Sequence, residues 1–239
     1  MGMQSGFTKY CCFLCLWDSR ATTEHYIKKE WGDRQHYTPG MQSVSAKPLV
    51  DRSHILLPPL HIKLGLIKNF VKALKPNEPG FQYLVNIFPK ISYAKIKEGI
   101  FVGPDIRKLM KDNNFDSCLS ADEFAAWSSF KSLVKNFLGK NKSSNYRQIV
   151  EELLQNYSKI NARMSLKIHF LHSHLDFFPG NLGDTSDEQG ERLHQDLQRI
   201  EKNYKGYWDE GMLSDYCWSI MRETDSTTYN RQSLTASHF

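Results

Sequence analysis

His169-Phe170-Leu171-His172-Ser173-His174, taken with Cys12-Phe13-Leu14-Cys15 near the other end of the chain, decides how this protein is put together. Two cysteines at C-x-x-C spacing and two histidines at H-x4-H spacing complete a tetrahedral zinc shell. A tight turn presents both thiols of a C-x-x-C pair to one ion, and Cys11 is an alternative ligand. On a continuous helix His169 and His172 share a face at i, i+3. His169 and His174, at i, i+5, point apart, so they meet one ion only if the helix ends or bends between them. The spacing makes Cys12 and Cys15, with two of His169, His172 and His174, candidate ligands of one structural zinc; His169 and His174 are the preferred pair, and Cys11 and His172 the alternatives. Against this stands a plainer account, in which a lone C-x-x-C is incidental or redox-active. In that account His169 is an ordinary core histidine and His172 a partly exposed one.

The rest of the composition fits such a site. The chain has 239 residues, enough for one large domain or two small ones. At 40% hydrophobic and 13% aromatic residues it can bury a core, so global disorder is not expected. The five cysteines, at 11, 12, 15, 118 and 217, are odd in number and crowded at one end. That suits a metal site in a reducing compartment better than a disulfide framework. The net charge of +5 is a mild basic excess, compatible with nucleic acid but not diagnostic of it. No secretory leader and no run of ~20 apolar residues is visible, so the expectation is an intracellular protein without a membrane span.

Around the motif the pattern is mainly α. Residues 1–56 are irregular, with one short strand expected near Phe7–Tyr10. Pro58-Pro59 opens a helix carrying Leu60, Leu64, Ile67, Val71 and Leu74, which must end before Pro76. Short helices follow over Gly80–Phe88, after Ser92 and from Pro104. Ser120-Ala121-Asp122-Glu123 has the capping-box form and opens a helix through Trp127, Phe130 and Phe137. Another starts at Asn145 or Tyr146, and Met164–His174 is next. Ser186 caps a helix to about Asn203, and the last spans roughly Glu210–Arg222. Trp127 with Phe130, and Trp218 with Tyr216, are expected core aromatics. The organisation is an irregular Cys-containing segment (1–56), a helical region (57–160), a His/Glu helical segment (161–222) and a mobile tail (223–239).

Other chemistry is sparse. Glu188, Glu191 and His194 share one face of the helix after Ser186, at i, i+3 and i+6, as a metal-facing stripe would. Acidic residues also favour a first helical turn for dipole reasons alone. Lys63, Lys68, Lys72 and Lys97 are candidates for DNA phosphate contacts, although lysines on an exposed helix face are ordinary. No phosphate-cradling glycine loop, nucleophile elbow or dinucleotide fingerprint occurs.

Several phrases together resemble a family of transposon-derived proteins of arthropod and cnidarian genomes: Gly6 to Arg20, Leu57 to Leu66, Lys97 to Pro104, and His169 to Asp196. A more distant resemblance runs to RNase H-like DDE transposases of the Transib and V(D)J-recombinase branch. There a C-x-x-C pairs with a distant H-x4-H around zinc, and a catalytic Glu follows in a Ser-x-Glu-x-x-Glu helix. The resemblance implies zinc on Cys12, Cys15, His169 and His174, with Glu191 as the remnant catalytic carboxylate. Glu188 would then be the earlier, non-catalytic Glu, and the helices between an insertion domain. The fold implied is the helical part of an incomplete RNase H-like core, and Mg²⁺ or Mn²⁺ belongs only to the complete parent enzyme.

This sequence departs from that pattern in one respect. The family carries two aspartates upstream of the cysteine pair, and here no Asp occurs before Asp18. One carboxylate cannot support two-metal phosphoryl transfer. The expectation is therefore a transposase-derived nuclear protein, truncated or domesticated, inactive as a nuclease and retaining contacts to DNA. Two other readings compete: a zinc-stabilised protein-interaction module without DNA affinity, and a metal-dependent hydrolase using Glu188, Glu191 and His194.

Overall fold

The computed structural model describes residues 1–6, 8–139, 142–182, 197–198, 200–205 and 209–223. The chain divides into two compact units, 1–186 and 187–239. The first contains α1 (Pro59–Ala73), α2 (Pro79–Ile87), α3 (Tyr93–Lys97), α4 (Gly103–Met110), α5 (Asn113–Ser117), α6 (Ala121–Asn136), α7 (Tyr146–Lys159) and α8 (Leu166–Ser173). The second contains α9 (Glu210–Glu223). The protein is mainly α. Among the described residues there is no sheet, only two isolated antiparallel bridges, Met3 with Val44 and Cys15 with Asp33. No described helix is long and apolar enough to cross a membrane.

Local chemistry sets the helix starts. Pro59 occupies the first turn of α1, where a missing N–H costs nothing. The Ser92 hydroxyl accepts from the Lys95 N–H to start α3. At α6 the Ser120 hydroxyl accepts from the Glu123 N–H (3.4 Å) and the Glu123 carboxylate accepts from the Ser120 N–H (2.9 Å), a complete capping box. The short α5 carries one buried apolar residue, Phe115, too little for periodicity to reveal. The strand expected near Phe7–Tyr10 is absent: Phe7 lies outside the described residues, and Lys9 and Tyr10 form a turn.

Aromatic rings fill the centre of the helical body. Phe70 of α1 packs against Trp127 of α6 (centroids 5.4 Å) and Tyr157 of α7 (6.4 Å), and Trp127 stacks on Phe130 (5.2 Å). Helices α6 and α7 run antiparallel, with Phe137 stacked on Tyr146 at one end and Asn156 Nδ2 donating to Ser129 Oγ (2.7 Å) towards the other. Two glycines permit close helix approach. A Cβ at Gly65 would stand 2.7 Å from Lys167 Cγ, so α1 and α8 meet there nearly backbone to side chain. Gly99 has φ +65 and a Cβ there would stand 2.7 Å from Lys68 Cα, so only glycine fits the turn that presses α3 onto α1. Asn69 Nδ2 donates to the Arg163 carbonyl (2.6 Å), further fixing α8 beside α1.

In the second unit Trp218 is 66% exposed, against its expected core role. Met212 takes the buried face of α9, and Trp218, six residues on, falls on a different side of the helix.

Candidate metal centre

The Cys12–Cys15 turn is built by backbone pairing on one side and a buried arginine on the other. Arg34 N–H donates to the Leu14 carbonyl (3.0 Å) and Leu16 N–H to the Gly32 carbonyl (2.7 Å), so residues 14–16 pair with 32–34. The Arg34 side chain is 1% exposed. Its guanidinium donates to three main-chain carbonyls, Cys12 (2.9 Å), Tyr10 (3.0 Å) and Gln42 (3.1 Å). Tyr37 donates to the Phe13 carbonyl (2.6 Å). The Cys12, Phe13 and Leu14 carbonyls of the turn thus each have a partner, as buried backbone requires. The Leu14 N–H points at Cys12 Sγ (3.4 Å), which stabilises negative charge on that sulfur.

Helix α8 supplies the other half. It ends at Ser173, and His174 has left helical geometry (φ −131, ψ 37). That break is the condition the i, i+5 spacing demanded: it turns His174 back towards the face that carries His169. His174 Nε2 lies 3.2 Å from Cys15 Sγ and 3.5 Å from Cys12 Sγ, and His169 Nε2 lies 3.3 Å from Cys15 Sγ. The four ligand atoms all lie within 4.8 Å of one another. Around a tetrahedral zinc with Zn–S ≈ 2.3 Å and Zn–N ≈ 2.0–2.1 Å, ligand atoms stand roughly 3.3–3.8 Å apart. Cys12, Cys15, His169 and His174 therefore fit a metal ion. Cys11 and His172, the alternatives, are not in the set.

The electrostatics favour a cation. Burial pushes the Cys12 thiol up, since a lone thiolate there would be poorly solvated, and burial lowers His169 to about 2. The Cys12 thiol, as a hydrogen-bond donor, lowers Cys15. A bound divalent ion takes thiolates and neutral imidazoles, so it supplies the charge this pocket lacks. Trp17 lies parallel to the His169 ring at 4.5 Å and 9°, covering that ligand, and His25 also packs on the indole (5.1 Å). Phe13 packs on Phe170 and Phe177, at 5.6 Å each. Around a tetrahedral ion these four residues would fill every position, the closed shell of a structural site rather than the open one of a catalyst.

The remaining sequence candidates are placed elsewhere or not described. Glu188, Glu191 and His194, with Ser186, lie outside the described residues. Lys72 pairs with Glu98 (2.7 Å), and Lys68 and Lys97 add to the positive field at the same carboxylate, so three of the four lysines share one surface where α1 meets the end of α3. Lys63 is half-buried on another face of α1. Trp17 and Arg34 were not foreseen as parts of the centre. Trp17 lies two residues beyond Cys15 and so carries a local hint, whereas nothing in the sequence around Arg34 marks it.

Residues 1–50 are similar to a family described as a domain of unknown function (DUF8703), and residues 59–139 to another described as a domain of unknown function (DUF8704). The two cysteines fall in the first span and all four lysines in the second, while His169 and His174 lie beyond both. No curated protein and no solved structure matches the chain.

Proposed function

We propose that the protein is a zinc-stapled helical module of transposase origin that contacts DNA without cutting it. The observation that carries this reading is the convergence of Cys12, Cys15, His169 and His174 from opposite ends of the first unit. The same C-x-x-C and H-x4-H pair is the part of the sequence that resembles the Transib and V(D)J-recombinase branch. The closed shell leaves the ion no coordination site for water or phosphate, so its work is to hold residues 8–34 on α8. Zinc is favoured by the S₂N₂ donor set, which suits a borderline-soft ion in tetrahedral geometry and disfavours Mg²⁺.

DNA contact rests on Lys68, Lys72 and Lys97 around Glu98. These side chains make an exposed positive patch on a rigid helix pair. Phosphate contacts of this kind position a protein without reading sequence, and a role of this kind would be a nuclear one. Filter binding to a double-stranded oligonucleotide over a salt series tests the reading. The expected result is affinity that falls steeply with salt, with a slope reduced by about 2–3 in the Lys68→Ala/Lys72→Ala/Lys97→Ala variant, roughly 0.9 per lost phosphate contact. Salt-independent binding, or a slope the triple variant leaves unchanged, would remove DNA from the account. Plasmid incubated with Mg²⁺ or Mn²⁺ should stay intact.

A further inference from the structure

A groove of about 690 Å³ lies between α7, the end of α8 and the segment that carries Tyr26 and Lys29. One stripe of α7 forms its long wall, with Arg147, Glu151, Gln155 and Lys159 one above another at i, i+4 steps. Leu154 and Leu175, each half-buried, supply apolar lining, with Val150 and Leu171 buried behind them. Tyr26 holds the opposite wall in place: its hydroxyl donates to the Ala162 carbonyl (2.7 Å), just past the end of α7.

The charge pattern along this groove is specific. Arg147 and Lys159 are twelve residues apart, which on a helix is about 18 Å. Lys29 lines the groove from the segment that carries Tyr26. Lys29 and Lys159 make no ion pair among the described residues, and Arg147 pairs with an exposed Asp176. Such an exposed pair is weak and readily exchanged. Glu151, the one acid lining the groove among the described residues, sits between the cationic ends.

Each ligand class meets that pattern differently. A single phosphate is too short to reach both ends. A nucleic-acid strand would set a phosphate against Glu151 and cover the apolar wall with charge. A peptide with acidic ends and an apolar middle satisfies both cationic ends and the apolar wall, and its main-chain N–H groups can donate to Glu151. An extended peptide rises ~3.4 Å per residue, so about five or six residues span the distance.

We propose that the α7 groove docks a short segment of a partner protein with acidic residues at both ends and apolar residues between. The test is fluorescence anisotropy of the full chain with a labelled synthetic peptide of about eight residues, aspartates at the ends and leucines between. The expected result is saturable binding that weakens at least tenfold in Lys29→Glu/Lys159→Glu. Both lysines are exposed, so the fold should be kept, as circular dichroism will verify. Lys111→Glu, outside the groove, should bind as the parent does. Replacing the leucines by serine, or the aspartates by lysine, should each remove binding. The proposal is overturned if the peptide does not bind the parent protein, if Lys29→Glu/Lys159→Glu binds equally well, or if a single-stranded oligonucleotide displaces the peptide at lower concentration than unlabelled peptide does.

Discussion

Residues 8–34 and the helical body from α1 to α8 are both deeply buried in places, yet different forces hold them. In the body, Phe70, Phe115, Trp127, Phe130 and Tyr157 are fully enclosed and pack ring on ring. Most of its backbone bonds are satisfied inside each helix, so tertiary packing supplies most of its stability. Among its described residues the N-terminal segment has no helix before the short turn at Arg52–His54 and only isolated bridges. Its carbonyls are served one by one, by Arg34, Tyr37 and Ser19. Its attachment to the body runs through Phe13, Trp17, Tyr26 and the Cys12–Cys15–His169–His174 cluster. A segment so poor in regular structure needs a cross-link to keep one conformation, as small domains with scant cores do. The dependence should run one way, because α8 can fold without the cysteines, whereas the cysteines have nothing to converge on without α8.

Substitutions can break that asymmetry. The largest effect belongs to Trp127→Ala, which empties a fully buried site and removes the indole N–H that donates to Asp116 Oδ1 (2.8 Å), leaving that carboxylate to Lys131 alone. A loss of about 3–5 kcal/mol is expected in urea unfolding, and hydrogen exchange should rise in both regions together. Protection that persists in residues 8–34 would show that the segment folds by itself. Next comes Arg34→Leu, which leaves three turn carbonyls without their donor. About 2 kcal/mol is expected, since each unmade buried bond costs ~1–3 kcal/mol and the segment can open to water. Exchange should quicken in residues 8–44 and stay slow in α6 and α7. Equal loss in both regions would mean that the two form a single cooperative block. The smallest is Gly99→Ala, at about 1–2 kcal/mol from a positive φ and contact with the Lys68 backbone. It should act on the body alone and leave metal content unchanged.

These regions also differ in how well sequence reveals them. The Ser120–Glu123 capping box and the proline at α1 were legible because the interactions that start a helix are local. The ligand set was legible as two spacings, C-x-x-C and H-x4-H. Its geometry was not, because no Gly or Pro marks the break after Ser173. The exit of His174 from the helix is set by the tertiary site it turns into. Arg34 was invisible for the same reason: its partners are carbonyls of residues up to 24 positions away. The short α5 fell below the length at which period can be read. Trp218 was misjudged because a large aromatic on a helix says nothing about which face is covered.

The account stands or falls on the metal. Elemental analysis of the purified full chain should find about one zinc per molecule, and Cys15→Ser and His169→Ala should each bring it near zero, because a closed four-ligand site loses its affinity with any one ligand. Zinc absent from the parent protein, or retained in both variants, would contradict the staple and leave residues 8–34 held by packing and Arg34 alone.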